Sequence, residues 1–417
     1  MSHRTTVKAI APCFLGIFVD VFGLTLALPI LISLLTTGDF LPSMITTHVR
    51  YAYLAAVIAL YPIVMFFGAS FMGDLSDMIG RKKVLMLCML IFCGGFLLMA
   101  VSIEKKSLAL LFLGRGLTGV AAASFATAMA AIADLSPTKK KATYMSIAIF
   151  FQSMGFVLGP LIAGIFSNAH FVSFFSLSLP LFLASGIALV AFIWFWVAFG
   201  KAFVKNMNKK IHPLRMIAVF VEAAKHPAIR LLVVAFLLHQ IAIALFLQLV
   251  LIFFQNTYHY ATFGIGMVYS FTGLWLGSGI LIISRIVKYY HIEWIAVFSL
   301  IVLSFLMMMI AIVRIKWLSW ALLCPIGVFG SVAWSAMLTS FSNAADASSQ
   351  GWVMGLTGSI VALSLIVSGL SFNLIPDLGV MPMVGFGGVI LLVSAWIVYY
   401  YCRHQNIPKQ VETTKES

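Results

Sequence analysis

Apolar residues run in twelve long blocks separated by short polar stretches, at about 9–35, 51–72, 84–102, 107–134, 144–166, 173–199, 230–255, 264–284, 292–313, 318–342, 350–373 and 381–401. A helix needs about 20 such residues to cross the hydrocarbon core of a bilayer. The pattern therefore predicts an all-α membrane protein of twelve transmembrane helices. The first block is too long for a cleaved leader and shows no clear cleavage site, so it is expected to stay as a span. The one long connection, Gly200–Ile229, divides the chain six and six. The expected organisation is a six-helix bundle over 1–199, a cytoplasmic linker over 200–229, a second six-helix bundle over 230–402 and a cytoplasmic tail over 403–417. Within the linker, Pro213–Lys225 mixes Leu214, Met216, Ile217, Val219 and Phe220 with Arg215, Glu222 and Lys225, a composition that suits a short helix lying in the membrane interface. Two bundles joined this way fit a pseudo-symmetric transporter with its binding site near the membrane midplane. Internal sequence symmetry is weak.

Composition narrows the class. Of 417 residues 62% are hydrophobic and 9% are charged, against about 25% charged in a soluble domain. Almost all of the chain is expected inside the bilayer, and no enzyme fold or nucleotide-binding loop is legible, which argues against an ATP-driven pump. The net charge of +14 raises the question of nucleic acid, but no basic segment interleaved with aromatics stands on a soluble domain. The bases lie at block ends instead. Twenty of the 26 Lys and Arg share one side with both termini, five (Arg50, Lys105, Lys106, Arg314, Lys316) lie on the other, and Arg115 is within a block. The positive-inside rule then places both termini in the cytoplasm, in a plasma membrane and by expectation a bacterial inner membrane. The cysteines Cys13, Cys88, Cys93, Cys324 and Cys402 have neither metal-site spacing nor a disulfide pattern. No metal and no cofactor is expected.

Charges inside the blocks are rare. Asp20 is the one acid well inside, Arg115 the one base, and Asp134 closes the fourth block. Burying Asp20 or Arg115 costs about 2.5–3.5 kcal/mol, so these two point to function. Counted from Lys8, Asp20 lies about 18 Å deep; counted from Lys106 on the other face, Arg115 lies about 13–14 Å deep. In a core of about 30 Å the two share a level and could pair if their helices are neighbours. The pair could be a static clamp on helix packing, or a protonatable carboxylate gated by an arginine. In the second half, His239 and Gln240, with Gln248 two turns on, again fall near midplane. His239 could be a packing residue, a cavity wall or a proton relay. Gln152, Trp275 and Trp334 are further candidates for a substrate cavity, with Asn373.

The stretch Gly73-Asp74-Leu75-Ser76-Asp77-Met78-Ile79-Gly80-Arg81-Lys82-Lys83 is read as a tight polar connection between the second and third spans. Its spacing resembles the signature between helices 2 and 3 of the major facilitator superfamily, in particular the drug:proton antiporter branch that includes tetracycline-resistance pumps. The resemblance implies the major facilitator fold. It also implies a cytoplasmic gate in which Asp77, Arg81 and Lys82, with Gly73 and Gly80, form a charged latch. The chain departs from that pattern at Asp74 and Met78. Val19–Pro29 resembles the helix 1 aspartate motif of these antiporters around Asp20, and Leu113–Gly119 resembles the helix 4 arginine motif around Arg115, which is implicated in proton coupling. Ile132-Ala133-Asp134 resembles the end of helix 4 in the same branch and adds Asp134 to the gate. Gly155, Gly159, Pro160 and Gly164 resemble the helix 5 antiporter motif, with Ser146 in place of an earlier glycine; small residues there also serve ordinary close packing. The start of the eleventh block, Gln350–Ser359, is similar to helix 11 of the branch. Tetracycline pumps carry further membrane acids in helices 3 and 9, and this chain has none there.

Three functions remain open on sequence grounds. The first is a proton-coupled secondary transporter that exports a small amphiphilic compound by alternating access. The second is an uptake or export carrier for a hydrophilic anion such as a siderophore or carboxylate, bound by Arg115 and His239. The third is a transport-dead sensor or scaffold, for which the short extramembrane segments offer little. Expected partners are the lipid bilayer, a small-molecule substrate and protons, with no nucleic acid, and a single chain is expected to function as a monomer.

Overall fold

The computed structural model describes residues 3–37, 39–137, 140–198, 220–223, 227–344, 350–405 and 407. Among these, all regular elements are helices, and twelve are long and apolar enough to cross a membrane. Spans 1 to 6 are Ile10–Thr36, Thr47–Ile79, Arg81–Glu104, Leu108–Leu135, Lys141–Phe166 and Leu179–Ala198. Spans 7 to 12 are Ile229–Tyr258, Thr262–Ile286, Ile292–Ile312, Lys316–Ala344, Gly355–Leu378 and Val380–His404. The expected fold class and number of spans hold. Most of the linker expected over 200–229, including nearly all of the interfacial helix at Pro213–Lys225, and most of the tail lie outside the described residues.

The chain forms two compact units, one of Met1–Arg215 with Tyr260–Ser270, the other of Met216–His259 with Phe271–Ser417. In the first, span 1 packs on spans 5 and 6 and on the second half of span 4, while span 3 packs on spans 4 and 6. In the second, span 7 packs on spans 11 and 12, and span 9 on spans 10 and 12. Adding six to each number of the first scheme largely reproduces the second. The units thus repeat a packing plan that their sequences barely share. Helix contact in lipid asks for small residues and matched shapes at a few positions, not for particular side chains.

Those positions are visible. A Cβ on Gly155 would lie 2.9 Å from the Phe18 carbonyl oxygen and one on Gly159 would lie 2.7 Å from that of Phe22, so spans 1 and 5 touch backbone to backbone. Thr25 strengthens the seam by donating its hydroxyl to the Gly155 carbonyl at 3.1 Å. In the second unit Ser304 donates to the Gly388 carbonyl at 2.6 Å and Ser394 to that of Ala235 at 2.7 Å.

The charged stretch is not a loop. Span 2 stays helical through Ile79, span 3 starts at Arg81, and Gly80 alone joins them. Gly80 has φ +96°, the left-handed side that glycine takes without strain. Its role is the turn and not a close approach, since neither it nor Gly73 has any neighbour within 4 Å of where a Cβ would stand.

Candidate functional site

The first unit holds Asp20 and Arg115 at its centre, exposed by 5% and 1%. The expectation that they could pair is met only indirectly. Among the described residues no carboxylate lies within ion-pair distance of Arg115. Tyr61 stands between the two. Its hydroxyl donates to Asp20 Oδ1 at 3.4 Å, and the Arg115 guanidinium carbon sits 4.5 Å from the centre of its ring. A desolvated cation gains about 2 kcal/mol or more on an aromatic face. Arg115 Nε and Nη1 have no hydrogen-bond partner, so the ring is the contact that offsets the cost of burying the charge. Span 2 reaches this place because span 4 has no side chain at Gly119, where a Cβ would lie 2.7 Å from the Tyr61 carbonyl oxygen.

Span 4 supplies the other half of the Asp20 shell. It is two helices, Leu108–Ala121 and Ser124–Leu135, broken at Ala122 and Ala123. At the start of the second helix, Asp20 Oδ2 accepts the Ser124 hydroxyl at 2.8 Å and the Phe125 backbone N–H at 3.0 Å. A carboxylate at a helix N-terminus satisfies free N–H groups and meets the positive end of the helix dipole. Asp20 is therefore held by three donors from two other spans.

The predicted gate residues fall into place differently. Arg81 Nε donates to Asp134 Oδ2 at 2.8 Å. Lys82 donates to the Trp196 carbonyl at 2.8 Å, at the last turn of span 6. A cation there suits the negative end of that helix. Both described contacts are internal to the first unit. Asp77 is half-buried in the last turn of span 2, and Asp74 is buried one turn earlier. The acids thus close span 2 and the bases open span 3, the reverse of what helix dipoles favour.

The helix 5 motif divides. Gly155 and Gly159 face span 1 beside Phe18, Val21, Phe22 and Thr25, the turns that flank Asp20. Pro160 and Gly164 face the beginning of span 8: a Cβ on Gly266 would lie 2.3 Å from the Pro160 carbonyl oxygen and one on Gly164 would lie 3.0 Å from Phe263 Cα. Gln152 lies half-buried one turn before Gly155.

In the second unit, His239 is fully buried and stacks on Phe236, whose ring also meets Trp334 at 5.5 Å. Neither His239 nitrogen has a hydrogen-bond partner, nor do Gln240 Oε1, Gln248 Oε1 and Trp275 Nε1. The structure brings His239 and Trp334 together around Phe236, while Trp275 lies against Phe271 on span 8.

Sequence reasoning missed Tyr61 and Ser124. The depth arithmetic that picked out Asp20 applies equally to Tyr61, ten residues or about 15 Å into its span from Tyr51. Ser124 carries no such signal.

Twelve helices long and apolar enough to cross a membrane define a multi-pass membrane protein. The sequence profile of the Major Facilitator Superfamily matches residues 13–369, and the chain belongs to that family. It is 24% identical over 423 residues to the class H tetracycline resistance protein of Pasteurella multocida, covering 98% of this chain and 99% of that protein. It is 27% identical over 224 residues to multidrug resistance protein 2 of Bacillus subtilis (strain 168), covering 49% and 52%. The crystal structure of the human organic anion transporter MFSD10 (TETRAN) shares the fold, with a TM-score of 0.69 and 18% identity over 94% of this chain and 99% of that one.

Proposed function

We propose that this chain is a proton-coupled secondary transporter that exports a small amphiphilic compound by alternating access. The observation that carries the reading is Asp20, a buried carboxylate held by three donors and joined through Tyr61 to a guanidinium with two unpartnered nitrogens. Withdrawing Tyr61 or the start of the second helix of span 4 would favour a proton on the carboxylate, and restoring them would release it. A proton crossing 100 mV delivers about 2.3 kcal/mol, enough to move solute against a gradient. Arg81, Lys82 and Asp134, with Asp77, Gly73 and Gly80, form the cytoplasmic gate. His239, Gln240, Trp275 and Trp334, with Gln152, contact substrate; the unpartnered polar atoms of the first three support this, because burying them unsatisfied has a cost that a ligand can offset. Both termini are cytoplasmic, the membrane is a bacterial inner membrane, and one chain functions as a monomer. The export direction rests on relatives named for drug resistance and on the helix 5 motif.

The test is substrate-driven proton movement in proteoliposomes, with ethidium and tetracycline as probes. Wild-type protein is expected to couple an imposed pH gradient to movement of at least one probe, and Asp20→Asn is expected to lose coupling while staying folded. Unaltered coupled transport by Asp20→Asn would sink the proposal. The free nitrogens of Arg115 favour a second reading, a carrier for an anionic solute. Its signature would be thermal stabilisation by a polycarboxylate such as citrate, retained in Asp20→Asn and lost in Arg115→Ala.

A further inference from the structure

The break in span 4 comes just after Gly119, a residue that loosens a helix locally, in the run Val120, Ala121, Ala122, Ala123 and Ser124, which holds no proline. Alanine is the strongest helix former. Yet the ladder is interrupted: Ala122 N–H bonds to the Gly119 carbonyl at 3.3 Å, a tightened three-residue turn, and the next helix begins at Ser124. In an uninterrupted helix the Phe125 N–H would bond to the carbonyl of residue 121. Here it bonds to Asp20 at 3.0 Å, with the Ser124 hydroxyl on the same oxygen at 2.8 Å. The carboxylate of span 1 has taken the place of a span 4 carbonyl. The acceptor that meets the freed N–H is therefore on another helix.

The far end of the same short helix carries Asp134, which holds Arg81 at the joint of spans 2 and 3. The two contacts, at Ser124 and Asp134, lie about 15 Å apart along this helix. The buried face between them is mostly small: Ser124, Thr127, Ala128 and Ala131, with Ile132. Small side chains interlock little, so such a face can slip against spans 1 and 3 with few rotamer changes.

We propose that span 4 is a two-state helix. In this proposal Asp20 holds the break open through Ser124 and Phe125, and the helix Ser124–Leu135 transmits the charge state of Asp20 to the Arg81–Asp134 ion pair. Ser124 is then a positioning residue for the coupling carboxylate. When Asp20 is neutral, the Phe125 N–H returns to its own helix, the break closes and the segment changes register. Asp134 leaves Arg81. The proposal rests on Asp20 being the proton carrier, and it adds the route by which a buried proton reaches the charged gate.

The test needs no substrate. Full-length protein with its five cysteines, Cys13, Cys88, Cys93, Cys324 and Cys402, replaced by serine is spin-labelled at Lys83→Cys with Pro137→Cys. A control pair is Lys83→Cys with Val197→Cys, across the span 3 and span 6 contact made by Lys82 and Trp196. Short-range dipolar broadening reads each distance in nanodiscs. Asp20→Leu removes the charge and both acceptor oxygens; Asp20→Asn removes the charge and keeps one acceptor oxygen. In Asp20→Asn the close Lys83–Pro137 population is expected to fall about two- to fivefold, the weight of one charge at a helix N-terminus, and in Asp20→Leu it falls further, while the control pair stays as in wild type. Unchanged broadening of the first pair in both variants overturns the proposal. If Asp20→Leu also loses the control pair it has not folded, and Asp20→Asn then decides alone. Transport separates the two readings: loss of coupling in Asp20→Asn with unmoved labels leaves Asp20 as the proton carrier and removes the relay.

Discussion

Three residues settle what the buried charges do. Asp20 was legible as a site because a mid-span acid is rare and expensive, and Arg115 for the same reason. That Tyr61 separates them was not legible, because a tyrosine in an apolar block is common and its partner depends on which spans are neighbours. The separation predicts a graded mutant series. Tyr61→Phe removes one long hydrogen bond and keeps the ring under Arg115, so its thermal midpoint in detergent should stay close to wild type. Tyr61→Leu takes the ring away and leaves a buried guanidinium with neither anion nor π-face. It should lose about 2 kcal/mol or more, seen as a clear fall in midpoint. If the two variants behave alike, the ring is not what supports the cation.

Packing at element scale turns on small residues, and it distinguishes glycines that look equivalent in sequence. Gly159→Leu would drive side-chain atoms into the Phe22 carbonyl and Thr25. Spans 1 and 5 would have to part, and we expect poor folding or a strongly lowered midpoint. Gly73→Ala meets nothing within 4 Å and lies in a helix, so stability should be unchanged or raised by up to about 1 kcal/mol. Similar falls for both would contradict the packing described. The charged stretch was legible as a tight connection, but its helical course was not, since local composition cannot show that span 2 continues through Ile79. Its ion pair is half open to solvent, with side chains 19% and 52% exposed. A double-mutant cycle on Arg81→Ala and Asp134→Ala should therefore return no more than about 1 kcal/mol of coupling. Such a weak contact can break in a transport cycle.

Over the whole molecule, the two units repeat one order of helix contacts with little sequence in common. In the described residues of the second unit the buried polar groups away from the span ends are uncharged, among them His239, Gln240, Gln248 and several hydroxyls, while the buried acid Glu293 sits in the first turn of span 9. The first unit carries Asp20 and Arg115. Under the proposed function, coupling belongs to the first unit and substrate recognition to the second. A thermal-shift panel on purified protein checks it. A ligand at 100 times its Kd adds about 2.7 kcal/mol of stability. A binder identified in this way should lose most of its shift in His239→Ala or Gln240→Ala and keep it in Ser124→Ala. Loss in Ser124→Ala with none in the other two would reverse the assignment.

The sequence by itself determined the twelve spans, the helical class and the two residues whose burial needed explaining. The reason is that a bilayer imposes one length and one polarity on every crossing segment, and both are local properties of the chain. Only the tertiary structure decided that Tyr61 lies between Asp20 and Arg115, that an alanine run in span 4 is broken, and that one short helix ends on both charged networks. Those features depend on acceptors and shapes supplied by distant segments. The intrinsic preference of Ala121–Ala123 is for an unbroken helix, and the acceptor that meets the N–H freed at the break is a carboxylate 105 residues before Phe125.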